Sequence, residues 1–138
     1  MPVIRRGDAG DLDAVAAIQS ASPGAARWKI AEYLQYEFSV AVADGTISGF
    51  LVWRRLAHDE CEVLNLAVAP AFRRQGVARA LLEPLLKSRD MRVFLEVRES
   101  NQGARAFYKS MEFREVSSRN EYYDAPPESA IVMKFHSC

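Results

Sequence analysis

Residues 72–82 read FRRQGVARALL, a basic turn with one glycine that runs into an apolar stretch. The segment before it, LNLAVAPA at 64–71, is typical of a β-strand that ends at Pro70. From Val77 onward, apolar residues recur at four-residue spacing, which predicts a helix over about residues 75–88. The stretch therefore predicts a strand that turns through a glycine into a helix, as in α/β folds.

A helix start of this kind can bind an anion. The first turn of a helix presents backbone N–H groups without internal partners and the positive end of the helix dipole, and Gly76 has no Cβ to block a ligand. The turn matches neither GxxxxGK[ST] nor GxGxxG, so it lacks the usual signatures of nucleotide hydrolysis and dinucleotide binding. Two interpretations stay open: a solvated helix cap, or a socket for a ligand that carries phosphate.

The remaining patterns predict an α/β domain with a mixed sheet. Asp44-Gly45 between two β-branched runs predicts a hairpin, because its primed turn needs positive φ. RVFLEV at 92–97 predicts a buried strand, whose alternation puts Val93, Leu95 and Val97 on one face and Glu96 on the other. Ser100 or Asn101 is expected to cap the following helix. The predicted order is strand, two helices, three antiparallel strands, then helix, strand, helix and two strands, with EYYDAPPES at 121–129 as a loop.

Composition excludes several classes of protein. The 138 residues of the chain, 1–138, suit one domain, and 18 basic residues balance 18 acidic ones, which disfavours a nonspecific nucleic-acid binder. Cys61 and Cys138 show neither metal-ligand spacing nor a disulfide framework, so we expect no metal site and a cytoplasmic location. The chain has no charged leader and no apolar run near 18 residues, so neither secretion nor membrane spanning is expected.

Three segments together resemble the GCN5-related N-acetyltransferases (GNAT). Pro-x-[Phe/Tyr]-Arg-Arg-x-Gly-[Val/Ile]-[Ala/Gly], between a strand and an Ala/Leu-rich helix, is similar to that family's acetyl-CoA signature. LEVRESNQGARAFYKSMEF at 95–113 resembles its segment of Leu-Glu-Val-Arg, Ser-Asn, Ala-x-x-x-Tyr and Gly-Phe. RNEYYDAPPESAIVMKF at 119–135 is similar to the end of the bacterial ribosomal-protein alanine N-acetyltransferases. The resemblance covers about residues 60–136 and implies the GNAT fold, a mixed sheet of about six to seven strands flanked by about four helices.

The resemblance also implies that acetyl-CoA is the cosubstrate. The residues that would bind it lie on the strand before the turn, in the turn and at the next helix start: Leu66, Ala67, Val68, Arg73, Arg74, Gln75, Gly76, Val77, Ala78 and Asn101. Family members carry a strand bulge that leaves a backbone N–H free for the oxyanion, which falls here at about Val68. The two arginines would supply supporting charge, and Asn101 would both cap its helix and bind the coenzyme.

Acetyl transfer from a thioester to an amine needs a base for the amine and an acid for the departing thiolate. Glu96 is the candidate base, acting directly or through one water, because the resemblance places the family's glutamate there. From the residues alone, an ion pair is an equal alternative, since an unpaired carboxylate in an apolar strand is costly; the candidate partners are Arg92, Arg98 and Arg119. Tyr108 is the candidate acid by resemblance, although its place on an apolar helical stripe equally suits core packing.

Three positions depart from the family pattern. Glu112 stands where relatives have glycine, so a left-handed helix end there would cost on the order of 1 kcal/mol. Pro84 falls inside the predicted helix and should kink or shorten it. SPGAARWKIAEYL at 22–34 lacks the Pro-Trp pair that alanine N-acetyltransferases often carry; Trp28 either substitutes for it in part or belongs to the core.

We expect an enzyme that acetylates a protein N-terminal α-amine of the ribosomal-protein type, by direct attack in a ternary complex. Trp28, Tyr122 and Tyr123 would contact the acceptor, although the two tyrosines equally suit a loop that covers the sheet edge. A small-molecule amine as acceptor and a non-catalytic acyl-CoA-binding module stay open as alternatives. Nucleic acid and membrane are not expected as partners, and the chain is expected to be a monomer or weak dimer.

Overall fold

The computed structural model describes residues 2–22, 29–87, 90–124 and 127–136. Its strands are β1 (Val3–Arg6), β2 (Glu37–Ala43), β3 (Thr46–Ala57), β4 (Glu60–Val68), β5 (Arg92–Arg98), β6 (Arg114–Asp124) and β7 (Pro127–His136). Its α-helices are α1 (Leu12–Ser20), α2 (Val77–Leu86) and α3 (Gln102–Ser110), and 3₁₀ helices lie at Ala9–Asp11, Ile30–Gln35 and Pro70–Phe72.

The strands are hydrogen-bonded in the order β1-β2-β3-β4-β5-β7-β6, which gives a seven-stranded mixed sheet. The pairs β1–β2, β2–β3, β5–β7 and β6–β7 are antiparallel, whereas β4 pairs in parallel with β5. A parallel pair needs a crossover connection, which α2 supplies here. The mixed α/β sheet confirms the predicted fold class, and the second predicted helix is represented by the 3₁₀ helix at Ile30–Gln35.

The chain divides into two compact units. The first consists of Met1–Arg54 and Leu64–Leu85, and the second of Arg55–Val63 and Leu86–Cys138. The expectation that residues 1–138 act as one domain stays a prediction.

The core of the first unit is centred on Tyr33, which is fully buried. Its ring lies 6.5 Å from the ring of Phe38 and 5.8 Å from that of Phe50, measured between centroids. Val15 and Ile18 of α1 belong to the same buried cluster. Burying such side chains contributes roughly 1.5–3 kcal/mol each, so this cluster holds α1 and the 3₁₀ helix at Ile30–Gln35 against β2 and β3.

A buried polar network ties these helical segments to β4. The Tyr33 hydroxyl donates to Oε1 of Gln19, and Nδ2 of Asn65 donates to the same oxygen at 3.1 Å. Oδ1 of Asn65 accepts the backbone N–H of Leu66 at 3.0 Å. A satisfied buried network of this kind rigidifies its surroundings, so it fixes the last residues of β4 relative to α1.

Gly49 on β3 lets α2 approach the sheet closely. A Cβ at this position would lie 2.9 Å from the carbonyl oxygen of Ala67 and 3.0 Å from Cγ1 of Val77. Any other residue would therefore push away β4 or the start of α2. Because Val77 is the first residue of α2, this glycine determines where the helix N-terminus lies.

The helix α2 is shorter than predicted and contains Pro84 within its last turn. We predicted residues 75–88, whereas the helix runs from Val77 to Leu86. Proline has no N–H to donate to the carbonyl four residues earlier, so the helix ends two residues beyond it. The N-terminal end, where Ala80 N–H donates to the Gly76 carbonyl at 3.0 Å, is unaffected.

The helix α3 is followed by a left-handed residue, the conformation whose cost was considered from the sequence. Glu112 has a φ of 72°. The N–H of Phe113 donates to the Tyr108 carbonyl and that of Glu112 to the Lys109 carbonyl, both at 3.0 Å. These two bonds form a Schellman motif, and the Tyr108 and Phe113 rings pack with centroids 5.4 Å apart. The helix end thus fixes the backbone that carries Tyr108.

We predict that Glu112→Gly stabilises the protein by about 1 kcal/mol, because glycine adopts this φ without strain. Urea unfolding followed by circular dichroism measures the change. Glu112→Ala is the matched control, since its Cβ keeps the strain while the carboxylate is lost. Equal stability of the glycine and alanine variants would contradict the explanation.

Candidate active site

The glycine turn predicted from residues 72–82 lies in the first unit. Gly76 has a φ of 81°, and a Cβ built there would have no atom within 4 Å apart from its chain neighbours. Helical hydrogen bonding starts from the Gly76 carbonyl, so the amides of Val77 and Ala78 precede the first residue that has an intrahelical acceptor. The turn combines open space at the glycine with outward backbone donors, which suits an anion.

The two arginines of the turn differ in their contacts. Nε of Arg73 donates to the Val68 carbonyl at 3.2 Å, and Nη2 donates to the Ala21 carbonyl at 3.2 Å and to Oγ of Ser22 at 3.3 Å. Arg74 has a φ of 64° and makes no hydrogen bond or ion pair with any residue that the structure describes. Arg73 therefore fixes the loop to the end of α1, and Arg74 is the cation available to a ligand.

Three other predicted cofactor residues, Gln75, Ala67 and Leu66, also lie in the first unit. Gln75 donates from Nε2 to the Ala71 carbonyl at 3.3 Å, which braces the loop. Ala67 is buried at the end of β4, and the N–H of Leu66 is taken by the Asn65 side chain. A bulge with a free N–H near Val68 stays a prediction.

Glu96 lies on β5 in the second unit, on the face that the sequence predicted. Val93, Leu95 and Val97 are buried, and the alternate residues of the strand are partly exposed. The Glu96 side chain is 16% exposed, and Oε1 accepts a hydrogen bond from Nη1 of Arg119 at 2.9 Å. Of the three arginines considered from the sequence, Arg119 is thus an ion-pair partner of Glu96 in the structure.

The second oxygen of this carboxylate is unoccupied. Oε2 of Glu96 is buried and has no hydrogen-bond partner among the described residues. A buried oxygen without a donor costs free energy, of the order of 1–3 kcal/mol or more for a charged group. Glu96 is therefore held through one oxygen and offers the other as an acceptor.

Tyr108 is a core residue whose hydroxyl is without a partner in the described ranges. It is 7% exposed, and its ring packs against Phe107 and Phe113 at centroid distances of 5.2 and 5.4 Å. Burial raises the pKa of its hydroxyl, so the group keeps its proton at neutral pH. Tyr108 and Glu96 make no hydrogen bond with each other, so the two candidate catalytic groups are separately held within the second unit.

Asn101 caps α3, as expected. Its Oδ1 accepts the N–H of Ala104 at 3.1 Å. The neighbouring Ser100 N–H donates to the carboxylate of Glu128, which also accepts from Nη1 of Arg98 at 3.3 Å. The hydrogen bond from Ser100, followed by Arg98, lowers the pKa of Glu128. Glu128 was not recognised from the sequence; it fixes the start of α3 from β7.

Tyr122 and Tyr123 lie in β6 rather than in a loop, so our prediction of a loop at EYYDAPPES was wrong. Tyr123 pairs with Glu128 of β7, so the hairpin extends further than predicted. Aromatic residues favour strands. A guanidinium also lies over each ring: Cζ of Arg119 is 4.1 Å from the Tyr122 centroid, and Cζ of Arg98 is 4.3 Å from the Tyr123 centroid.

The hydroxyl of Tyr123 lies in the electrostatic field of the candidate base. Burial, and then the charge of Glu96, raise the pKa of Tyr123 to about 12. The side chain of Tyr122 is exposed, whereas Tyr123 is partly buried. Together with Glu96 and Arg119 these tyrosines form a polar and aromatic surface on the second unit. The remaining predicted acceptor residue, Trp28, lies outside the described residues.

Within residues 2–22, 29–87, 90–124 and 127–136, no group of three or more His, Cys, Asp or Glu side chains could hold a metal ion. None of the described helices is long and apolar enough to cross a membrane.

The sequence is similar to those of known acetyltransferases. Residues 13–113 match the profile described as "Acetyltransferase (GNAT) family". The [ribosomal protein bS18]-alanine N-acetyltransferase of Escherichia coli is 36% identical over 107 residues, which cover 73% of this chain and 70% of that protein. The N-alpha-acetyltransferase RimI of Mycobacterium tuberculosis is 37% identical over 98 residues, 68% of this chain and 62% of that protein.

The fold is similar to those of solved acetyltransferases. The crystal structure of the ribosomal-protein-S18-alanine N-acetyltransferase from Escherichia coli superposes with a TM-score of 0.84 at 31% identity, covering 100% of this chain and 96% of the other. Naa20 from Chaetomium thermophilum, crystallised with a bisubstrate analogue, superposes with a TM-score of 0.85 at 28% identity, covering 98% and 86%. The family resemblance predicted from the sequence is confirmed.

Proposed function

The chain belongs to the GNAT family of N-acetyltransferases, and from that premise we propose that it transfers the acetyl group of acetyl-CoA to the α-amine of a protein N-terminus. The observation that carries the proposal is the surface formed by Glu96, Arg119, Tyr122 and Tyr123, where Arg119 joins the Glu96 carboxylate to the exposed ring of Tyr122 and one buried carboxylate oxygen has no donor among the described residues. Relatives that act on an N-terminal alanine support the choice of a peptide acceptor.

The glycine turn supports the choice of cosubstrate. Coenzyme A carries a pyrophosphate, and Gly76 leaves open space where a side chain would otherwise stand. The amides of Val77 and Ala78 would hold the phosphate oxygens, and Arg74 would supply charge. Arg73 donates hydrogen bonds to backbone carbonyl oxygens of the protein, so we assign it the role of holding the loop in place.

Bound acetyl-CoA would supply the thioester that donates the acetyl group. Glu96 would accept a proton from the acceptor amine, which must be neutral to attack although a terminal α-amine has a pKa of about 7.7–8. Tyr108 would donate its proton to the departing sulfur, a role that its protonated hydroxyl suits. Asn101 would bind the coenzyme besides capping α3, and the backbone of Leu66, Ala67 and Val68 would hold the pantetheine arm.

The acceptor peptide would lie against Tyr122 and Tyr123, with Trp28 as a further contact. The Tyr122 and Tyr123 rings pack edge to face with centroids 5.1 Å apart, and such an aromatic pair next to a carboxylate suits a short peptide with a positively charged end. We propose that residues 1–138 act as one acetyltransferase domain in the cytoplasm. The acceptor amine would attack the thioester directly within a ternary complex, without a covalent enzyme intermediate. This mechanism is consistent with a base, Glu96, and an acid, Tyr108, that are held separately.

We predict that the enzyme acetylates the α-amine of peptides corresponding to ribosomal-protein N-termini. One panel contains such peptides with free and with blocked α-amines, and a second contains polyamines, amino acids and aminoglycosides. Each is incubated with the enzyme and acetyl-CoA, and CoA release and product mass are measured. Blocked peptides are the matched control, because they retain every contact except the reacting amine. Turnover of small amines alone would replace the proposed acceptor, and no turnover on either panel would favour the non-catalytic module.

We predict that Glu96→Gln and Tyr108→Phe each lower kcat by about 10²-fold or more while the Kd for acetyl-CoA stays within about twofold. Both changes keep the approximate shape of the side chain and remove its acid–base function; Glu96→Gln also removes the charge that pairs with Arg119. Glu60→Gln is a matched control, because Glu60 accepts an ion pair from Arg92 at 3.0 Å in the same unit. Wild-type turnover in both catalytic variants would refute the assignment.

We predict that Gly76→Ala weakens acetyl-CoA binding about tenfold or more, since the methyl group enters the open space and the positive φ becomes strained. Isothermal titration calorimetry measures the Kd. The matched control is Gly45→Ala in the β2–β3 turn, where φ is 76° and the added methyl group also meets nothing within 4 Å. If the two variants had the same Kd for acetyl-CoA, the methyl group at position 76 would not be the cause of weaker binding. Backbone strain alone, or a binding site elsewhere, would then explain the result.

A further inference from the structure

Arg119 reaches Glu96 across an intervening strand. Glu96 of β5 is in register with Val132 of β7, and Arg119 of β6 is in register with Ala130 of β7. The two side chains therefore meet over β7, where Nη1 of Arg119 lies 2.9 Å from Oε1 of Glu96. The contact joins residues 23 positions apart in the sequence through a charge-assisted hydrogen bond.

The guanidinium of Arg119 is held on a second side by an aromatic ring. Its Cζ lies 4.1 Å from the centroid of Tyr122, a cation–π contact. The β6–β7 pairing is irregular between Arg119 and Tyr123, the segment that contains Tyr122. The side chain is still 54% exposed, so an ion pair here adds little to the stability of the fold.

The two oxygens of Glu96 are in different situations. Oε1 is bound by Arg119, whereas Oε2 is buried without a partner in the described residues. By contrast, Arg105 binds both carboxylate oxygens of Glu115, at 2.7 and 3.1 Å. The single contact fixes the carboxylate and leaves one buried oxygen ready to accept.

We propose that Arg119 is a positioning residue, which holds Oε1 of Glu96 so that Oε2 accepts the proton of the acceptor amine, directly or through one water. This inference rests on the proposed function of Glu96 as the base. In the proton transfer an N–H bond of the amine breaks, an O–H bond forms at Oε2, and the electron pair stays on nitrogen for attack. Without Arg119 the carboxylate is free to rotate, and Oε2 loses its fixed direction.

The kinetic test compares Arg119→Gln, Arg119→Lys and Arg92→Gln with the wild-type enzyme on whichever amine the wild type acetylates. We expect Arg119→Gln to lower kcat by about 10- to 100-fold with the KM for acetyl-CoA unchanged, because misplacement of a reacting group by about 1 Å has this effect. Arg119→Lys should recover part of the loss. Arg92→Gln removes an ion pair of the same strand that does not involve Glu96, and should keep wild-type kcat.

A double-mutant cycle separates positioning from a structural role. If Arg119 acts through Glu96, the Arg119→Gln change should have no further effect on kcat in a Glu96→Gln background. Independent losses that multiply would overturn the proposal, as would a wild-type kcat for Arg119→Gln. Thermal unfolding of each variant checks that the fold is retained.

Crystal structures of the wild type and Arg119→Gln supply a readout that needs no acceptor. We expect the Glu96 side chain to leave its wild-type rotamer in the variant, and an unchanged rotamer would overturn the proposal. If the wild type acetylates only small amines, the peptide acceptor is refuted while these tests still decide the role of Arg119. Loss of kcat in Arg119→Gln but not in Glu96→Gln would refute the base instead.

Discussion

A carboxylate on an inner strand of a sheet must be paired, and Glu96 meets this constraint with only one of its oxygens. The neighbouring strands are arranged accordingly. The residues of β7 that lie between the two charged residues are Ala130 and Val132, and Arg119 reaches over them from β6. Had both oxygens been bound, the group would be a structural ion pair and nothing more. The oxygen without a hydrogen-bond partner among the described residues is the feature that distinguishes a candidate base from a purely structural ion pair.

The first unit has a comparable constraint at the start of α2. Backbone N–H groups can bind a ligand only if the helix N-terminus is held in a fixed position. Here the residues that hold it lie outside the turn. Gly49 allows Val77 to approach β3, and the buried bonds among Gln19, Tyr33 and Asn65 fix the strand that leads into the turn. Both units thus use packed or buried groups to place a few polar atoms.

The sequence predicted the features that depend on local pattern. Alternation in RVFLEV placed Glu96 on the partly exposed face, and the glycine turn lay where expected. It did not predict the length of β6, because the end of the hairpin involves partners outside that segment: Tyr123 pairs with Glu128 of β7, and its ring is covered by Arg98 of β5. Nor could it choose among three arginines for Glu96, since that choice depends on the register of β6 and β5 against β7.

The adjacent arginines of the turn show why residue type alone does not assign a role. From the sequence Arg73 and Arg74 were equivalent cations beside a glycine. In the structure the backbone enters the left-handed region at Arg74, so consecutive side chains have different surroundings. Arg73 is used up by carbonyl oxygens of Val68 and Ala21, which a guanidinium can bind simultaneously through its several donors. The contacts of Arg73 are therefore part of the structure of the loop, and Arg74 is the arginine of this turn that makes no hydrogen bond or ion pair with the described residues.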